Sequence, residues 1–197
     1  MVWIVTGPGR CGTNWLAEVL GVPIEPFGHF KTTDPYAWMT DHEVCVNHYA
    51  CDYIQELAPL VDTWVFVHRD PVDYLCSMLG RWYGKQFPHW CTVDEQARTG
   101  ARQLLGGLEA SLALMEHYGV TPSHWHMNLY TTEPGLQKLA AHLRVSLAYP
   151  LKLPEPLNVG TKKVVREQLH PATLDYIQAV HSGLPRLTQG YLASLRA

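Results

Sequence analysis

Val2-Trp3-Ile4-Val5-Thr6-Gly7-Pro8-Gly9-Arg10-Cys11-Gly12-Thr13-Asn14-Trp15 is the stretch that decides the fold. The apolar run from Val2 to Thr6 predicts a buried strand. Apolar residues at Trp15, Leu16, Val19 and Leu20 predict a helix over 13–20, which Gly21 stops. Between them Gly7, Gly9 and Gly12 let backbone N–H groups converge, and the positive end of the helix adds to their field. Strand, glycine loop and helix in this order form an anion cradle. The competing reading is a plain glycine turn with a surface arginine.

The spacing from Gly7 to Gly12-Thr13 resembles a Walker A loop whose lysine is missing, and Arg10 is the sole cation inside it. Arginine offers a planar fork of donors and stays charged at any ordinary pH. It grips anionic oxygens and stabilises charge on a departing phosphate, but it does not donate a proton to it. A nucleotide kinase would carry lysine before Thr13.

Outward from the loop, Thr63 to His68 reads as a second strong strand. Its near-continuous apolar character suits a parallel sheet covered on both faces. Asp70 is a natural helix cap, with Pro71 suited to the first helical position. Val72, Leu75, Cys76 and Leu79 form the buried stripe of the helix that follows. Arg69 falls at the C-terminal edge of the strand, where ligands of open α/β sheets collect. Ser77 lies off the stripe and can face a ligand with it. The plainer reading is an Asp-capped helix with an exposed serine and a salt-bridged arginine.

The remaining chain reads as short strands at 22–24, 44–47 and 123–127. Residues 26–42 read as a loop and residues 53–60 as a short helix. A long helix covers 93–117, weakened at Gly106-Gly107, and further helices cover 135–142, 171–180 and 185–195; the proline-punctuated stretch 151–156 reads as irregular. Strands alternating with helices give a single α/β domain over 1–197, three-layered around a mostly parallel sheet.

The 197 residues carry a formal net charge of −3, which argues against a broad nucleic-acid surface. A local positive pocket for a small anion remains compatible with it. The sequence has no transmembrane run and no secretion signal. Its five cysteines, Cys11, Cys45, Cys51, Cys76 and Cys91, contain no C-x-x-C pair and read as free thiols of a reducing, cytoplasmic setting. The alternative is a redox switch at Cys11, whose thiolate a donor-rich loop would favour.

The two motifs resemble the sulfotransferases that use 3'-phosphoadenosine-5'-phosphosulfate. The segment Thr6 to Trp15 is similar to that family's 5'-phosphosulfate loop. Val67 to Ser77 is similar to its 3'-phosphate motif, with Ser77 eight residues beyond Arg69. The resemblance implies a P-loop-like fold and a donor bound on its 5' side by Gly9, Arg10, Cys11, Gly12, Thr13 and Asn14. It implies that Arg69 and Ser77 hold the 3'-phosphate and that Trp15 packs near the adenine. Trp125-His126-Met127-Asn128-Leu129 resembles a third family segment in degraded form: His126 stands for a tyrosine and Met127 for an acid. Lys162 and Lys163 fall in a region resembling the closing segment, where they would complete the 3'-phosphate pocket.

Sulfuryl transfer to an alcohol or amine needs an in-line donor, charge stabilisation on the leaving phosphate and a base for the acceptor. Arg10 fits the second role. For the base, Glu25 ranks first, then His29, then His48. The expected acceptor is a small molecule or carbohydrate, with aromatic residues of 27–50 and 80–96 as a candidate pocket. His42 to His48 lacks a metal-site spacing, and the chemistry requires no metal. Two other readings stand beside this one: a P-loop kinase for a nucleoside or small metabolite, and a nucleotide-binding relative without catalysis.

Overall fold

The computed structural model describes residues 1–9, 11–24, 26, 34–80, 83–147 and 164–196. In chain order these form β1 (Trp3–Thr6), α1 (Thr13–Leu20), α2 (Pro35–His42), β2 (Val44–Val46), a 3-10 turn (Ala50–Tyr53), α3 (Ile54–Leu57), β3 (Thr63–His68) and α4 (Pro71–Leu79). A long helical arm follows as α5 (Val93–Gly100), a π-helical stretch (Ala101–Leu105) and α6 (Gly106–His117). The order ends with β4 (Ser123–His126), α7 (Met127–Tyr130), α8 (Glu133–Leu143), α9 (Pro171–Ser182) and α10 (Pro185–Ser194).

The strands pair in the order β2-β1-β3-β4, all parallel. Parallel neighbours need crossovers over the sheet faces, and both faces are covered accordingly. Period-2 alternation divides the strand residues between two cores. Trp3, Val5, Val65, Val67 and Trp125 pack with α1 and α8, through Leu16, Leu136 and Leu139. Ile4 and Phe66 face the opposite layer, built from α4, α6, α9 and α10 through Leu75, Met115, Ile177 and Leu187.

Local chemistry sets the helix starts. The Asp70 carboxylate accepts from the Val72 and Asp73 N–H groups at 2.9 and 3.1 Å, with Pro71 at the first helical position. Thr92 and Glu95 form a reciprocal capping box at the start of α5.

Three sequence expectations need correction. Residues 35–42 form α2 rather than loop. Asp34 caps it by accepting from Tyr36 and Ala37 N–H at 2.9 and 3.2 Å, the same Asp-Pro device that starts α4. Residues 22–24 supply only an isolated parallel bridge, Ile24 to Val46, at the β2 edge. The helix expected over 53–60 is a 3-10 turn running into the single turn of α3. The long arm over 93–117 passes through the π-helical stretch just ahead of Gly106-Gly107.

Candidate functional site

The glycine loop leaves β1 at the C-terminal edge of the sheet and is shaped by contacts that tolerate no side chain. Gly7 has φ 140°, and a Cβ there would lie 2.6 Å from the Val67 carbonyl oxygen and 2.8 Å from Val67 Cγ2. The loop is therefore pressed directly onto β3. Gly12 caps α1 in the left-handed region at φ 76°, a conformation that glycine adopts without strain. The Tyr130 hydroxyl donates to the Cys11 carbonyl oxygen, tying the loop to the β4–α7 corner. Tyr130 is fully buried, and nothing local in the sequence marks it for this role.

Within the cradle, Gly9 is half-buried, Cys11 and Thr13 are buried, and Asn14 is exposed. Trp15 is packed into the α1–α8 core at 9% exposure. Burial pushes the Cys11 thiol up to about 12, against the weaker pull of Arg69. A thiolate is thus disfavoured there. All five cysteines are free.

His48, which follows β2, lies against this loop. A methyl group placed on Gly9 would stand 3.8 Å from His48 Cδ2 and 4.0 Å from its Nε2. The ring is braced by Tyr49, with centroids 3.8 Å apart. Asn47 is buried beside it; its N–H donates to the Val5 carbonyl at 2.9 Å, and its Oδ1 accepts from Tyr49 N–H at the same distance. Arg10, Glu25, His29, Lys162 and Lys163 lie outside the described residues.

Arg69 and Ser77 are both half-buried, one at the end of β3 and the other on α4. A small pocket at this edge is lined by Pro8 of the loop, by His68, Arg69 and Tyr74, and by His181 of α9. Pro71, Leu105, Leu108 and Leu187 complete its lining, and at about 10 Å³ it has room for roughly one water. Beside it, Arg166 Nη2 pairs with Asp70 at 2.6 Å and with Asp73 at 3.3 Å.

His126 ends β4 directly opposite His68 in the register. Its Nδ1 accepts from Asn128 N–H at 3.2 Å, so the proton of the neutral ring resides on Nε2. That Nε2–H is buried with no partner among the described residues. His68 Nε2 and His124 Nδ1 share a hydrogen bond of 2.8 Å. Burial holds His68 well below the usual histidine range, and repulsion from His124, His126 and His181 adds to it. Burial also lowers His124, His126 and His181, with Asp70 opposing it at the last two and Asp73 also at His126. Among the described residues no cluster of three or more His, Cys, Asp or Glu has the arrangement of a metal site.

Comparison with known proteins was informative at the level of fold. No protein-family model matches the chain, and no curated protein matches it significantly. The structure is similar to the crystal structure of a sulfotransferase from Alicyclobacillus acidocaldarius. The TM-score is 0.58 at 14% sequence identity, with 94% of this chain and 93% of that one covered. The fold is sulfotransferase-like. The likeness spans nearly the whole chain. No helix among the described residues is long and apolar enough to cross a membrane.

Proposed function

We propose that the chain is a sulfotransferase that moves the sulfuryl group of 3'-phosphoadenosine-5'-phosphosulfate to a hydroxyl or amine of a small-molecule or carbohydrate acceptor. The observation that carries this reading is the meeting of Pro8 of the glycine loop with Arg69, the residue after β3, at one sheet edge of a sulfotransferase-like fold. A ligand with anionic groups at both ends fits two anion-binding motifs brought to one sheet edge.

In this reading Gly9, Cys11, Gly12, Thr13 and Asn14 offer loop and helix-start donors to the 5' side. Arg69 and Ser77 hold the 3'-phosphate, with Lys162 and Lys163 completing that pocket. Trp15 and His126 border the adenine. Arg10 stabilises the charge that grows on the 5'-phosphate as its bond to sulfur breaks. His48 takes the proton of the acceptor as the acceptor's oxygen or nitrogen bonds to sulfur. Its place against Gly9 supports His48 as a base at the loop, beside Glu25 and His29, which lie outside the described residues.

Calorimetry with adenosine 3',5'-bisphosphate and with ATP tests the donor. Tighter binding of the bisphosphate is expected, and preference for ATP overturns the reading in favour of a kinase. His48→Asn should lower transfer by about 10²-fold or more while leaving bisphosphate affinity unchanged. Arg10→Ala should abolish transfer in a folded protein.

A further inference from the structure

The turn that carries His48 is fastened to β1 on both sides of the histidine. Ahead of it, the Asn47 N–H donates to the Val5 carbonyl oxygen at 2.9 Å. Behind it, Cys51 Sγ and Thr6 Oγ1 share a hydrogen bond of 3.6 Å, and both residues are buried. Val5 and Thr6 are the last two residues of β1, immediately ahead of Gly7. The glycine loop and the His48 turn therefore start from one anchored point.

Between these fastenings Asn47 closes the turn twice. Its carbonyl oxygen accepts from the Ala50 N–H at 3.2 Å, which makes 47–50 a β-turn with His48 and Tyr49 at its central positions. Its side-chain Oδ1 accepts from the Tyr49 N–H at 2.9 Å, and this second ring spans His48 alone. A ring of this kind fixes the backbone of the residue it spans, and with it the direction of that residue's side chain. Asn47 is 0% exposed, so its carboxamide has no room to swing into solvent and give up the bond. A buried amide that lost it would be left with an unsatisfied oxygen. The Tyr49 ring, 3.8 Å from His48 between centroids, restricts the imidazole further. The result of these contacts is the approach of His48 to Gly9, at ordinary van der Waals distance from where a Cβ would stand.

We propose that Asn47 is a positioning residue for His48: through the turn it closes, its carboxamide oxygen holds the imidazole against the glycine loop. The role assigned to it in transfer rests on the reading of His48 as a base given above. Asn47 touches neither donor nor acceptor in this scheme. It acts on the reaction only by keeping His48 within hydrogen-bond reach of the proton that leaves the acceptor, a geometry in which a misplacement of about 1 Å is costly. Truncating its side chain removes the ring across His48 but leaves the glycine loop and Arg69 in place. Turnover should therefore suffer and donor binding should not.

The first test is proton NMR without any ligand. A nuclear Overhauser contact between the His48 ring and the Gly9 α-protons is expected in the wild type and in Asn47→Asp, which keeps the acceptor oxygen, and should vanish in Asn47→Ala. Its absence from the wild type, its loss in Asn47→Asp or its survival in Asn47→Ala overturns the proposal. The first two of these readings do not depend on whether Asn47→Ala folds. The second test is a double-mutant cycle with 3'-phosphoadenosine-5'-phosphosulfate as donor and water as the acceptor, following release of the bisphosphate. Asn47→Ala should lower kcat by about tenfold with the donor KM unchanged, and should have less than about a twofold effect in the His48→Asn background. An equal loss in both backgrounds overturns the positioning role and leaves His48 standing as the base. No effect of His48→Asn alone overturns the base reading, and the catalytic role of Asn47 falls with it.

Discussion

The loop side and the histidine side of this sheet edge reach the same pocket by opposite means. Around the loop the work is done by backbone: Gly7 pressed on Val67, Gly12 turned into the left-handed region, and the Cys11 carbonyl held by Tyr130. The nearest thiol, Cys11, is pushed up to about 12 and does not titrate near neutrality. Under α9 and α10 the edge is built from imidazoles that burial holds below the usual histidine range. One side is fixed by shape; the other is adjustable by protons.

The largest expected effect comes from breaking the shape-fixed side. Gly7→Ala places a Cβ 2.6 Å from the Val67 carbonyl in a backbone region hostile to side chains. It should cost about 3 kcal/mol or more by chemical denaturation and abolish bisphosphate binding. On the histidine side, Gly190→Ala meets ring atoms rather than backbone, at 2.7 Å. It should cost about 2 kcal/mol, since α10 can shift slightly off β4.

Acid should separate the two sides next. The four histidines have folded-state affinities for protons below that of an ordinary histidine. Between an ordinary histidine value near 6.5 and those lowered values, the unfolded chain binds more protons than the folded one. Stability from this source is thus fully present above about pH 6.5 and is lost as pH falls below it. Denaturation midpoints measured from pH 7.5 down to 5 should decline. His181→Gln should make the decline shallower.

Smaller still is Tyr130→Phe, which leaves the buried Cys11 carbonyl without its hydroxyl partner. A loss of about 1–2 kcal/mol is expected in urea denaturation. Least in energy is a labelling contrast. Brief alkylation of the native protein at pH 8 should modify half-buried Cys91 and spare the four buried cysteines, as mapped by peptide mass spectrometry.

The same contrast explains what could be read from the sequence. Backbone-built features leave local signatures: glycines at fixed spacing, Asp-Pro at the start of α4, an apolar run for β3. Those were legible, and α1, β3 and α4 fall at the expected residues. Asp34-Pro35 carried the same helix-start signal as Asp70-Pro71, but the polar and proline-rich residues around it masked α2. The histidine group had no local signature. Residues 68, 124, 126 and 181 become neighbours only because β3 pairs with β4 and α9 lies beneath them. Tyr130 was hidden for the same reason, since its partner is 119 residues away. His48 was visible as a candidate base, and its approach to Gly9 could be seen only in the fold.

The strand order has a consequence for how the protein is made. β1 lies between β2 and β3, so three of the four strands come from the first 68 residues. The glycine loop rests on Val67, and its shape therefore waits until that residue has left the ribosome and β3 has docked. From then on, a nascent chain holds the loop's β3 support before it holds β4, Tyr130 or any part of the histidine group. The glycine loop is an early product of synthesis and the histidine group a late one, with α9 and α10 closing the edge last.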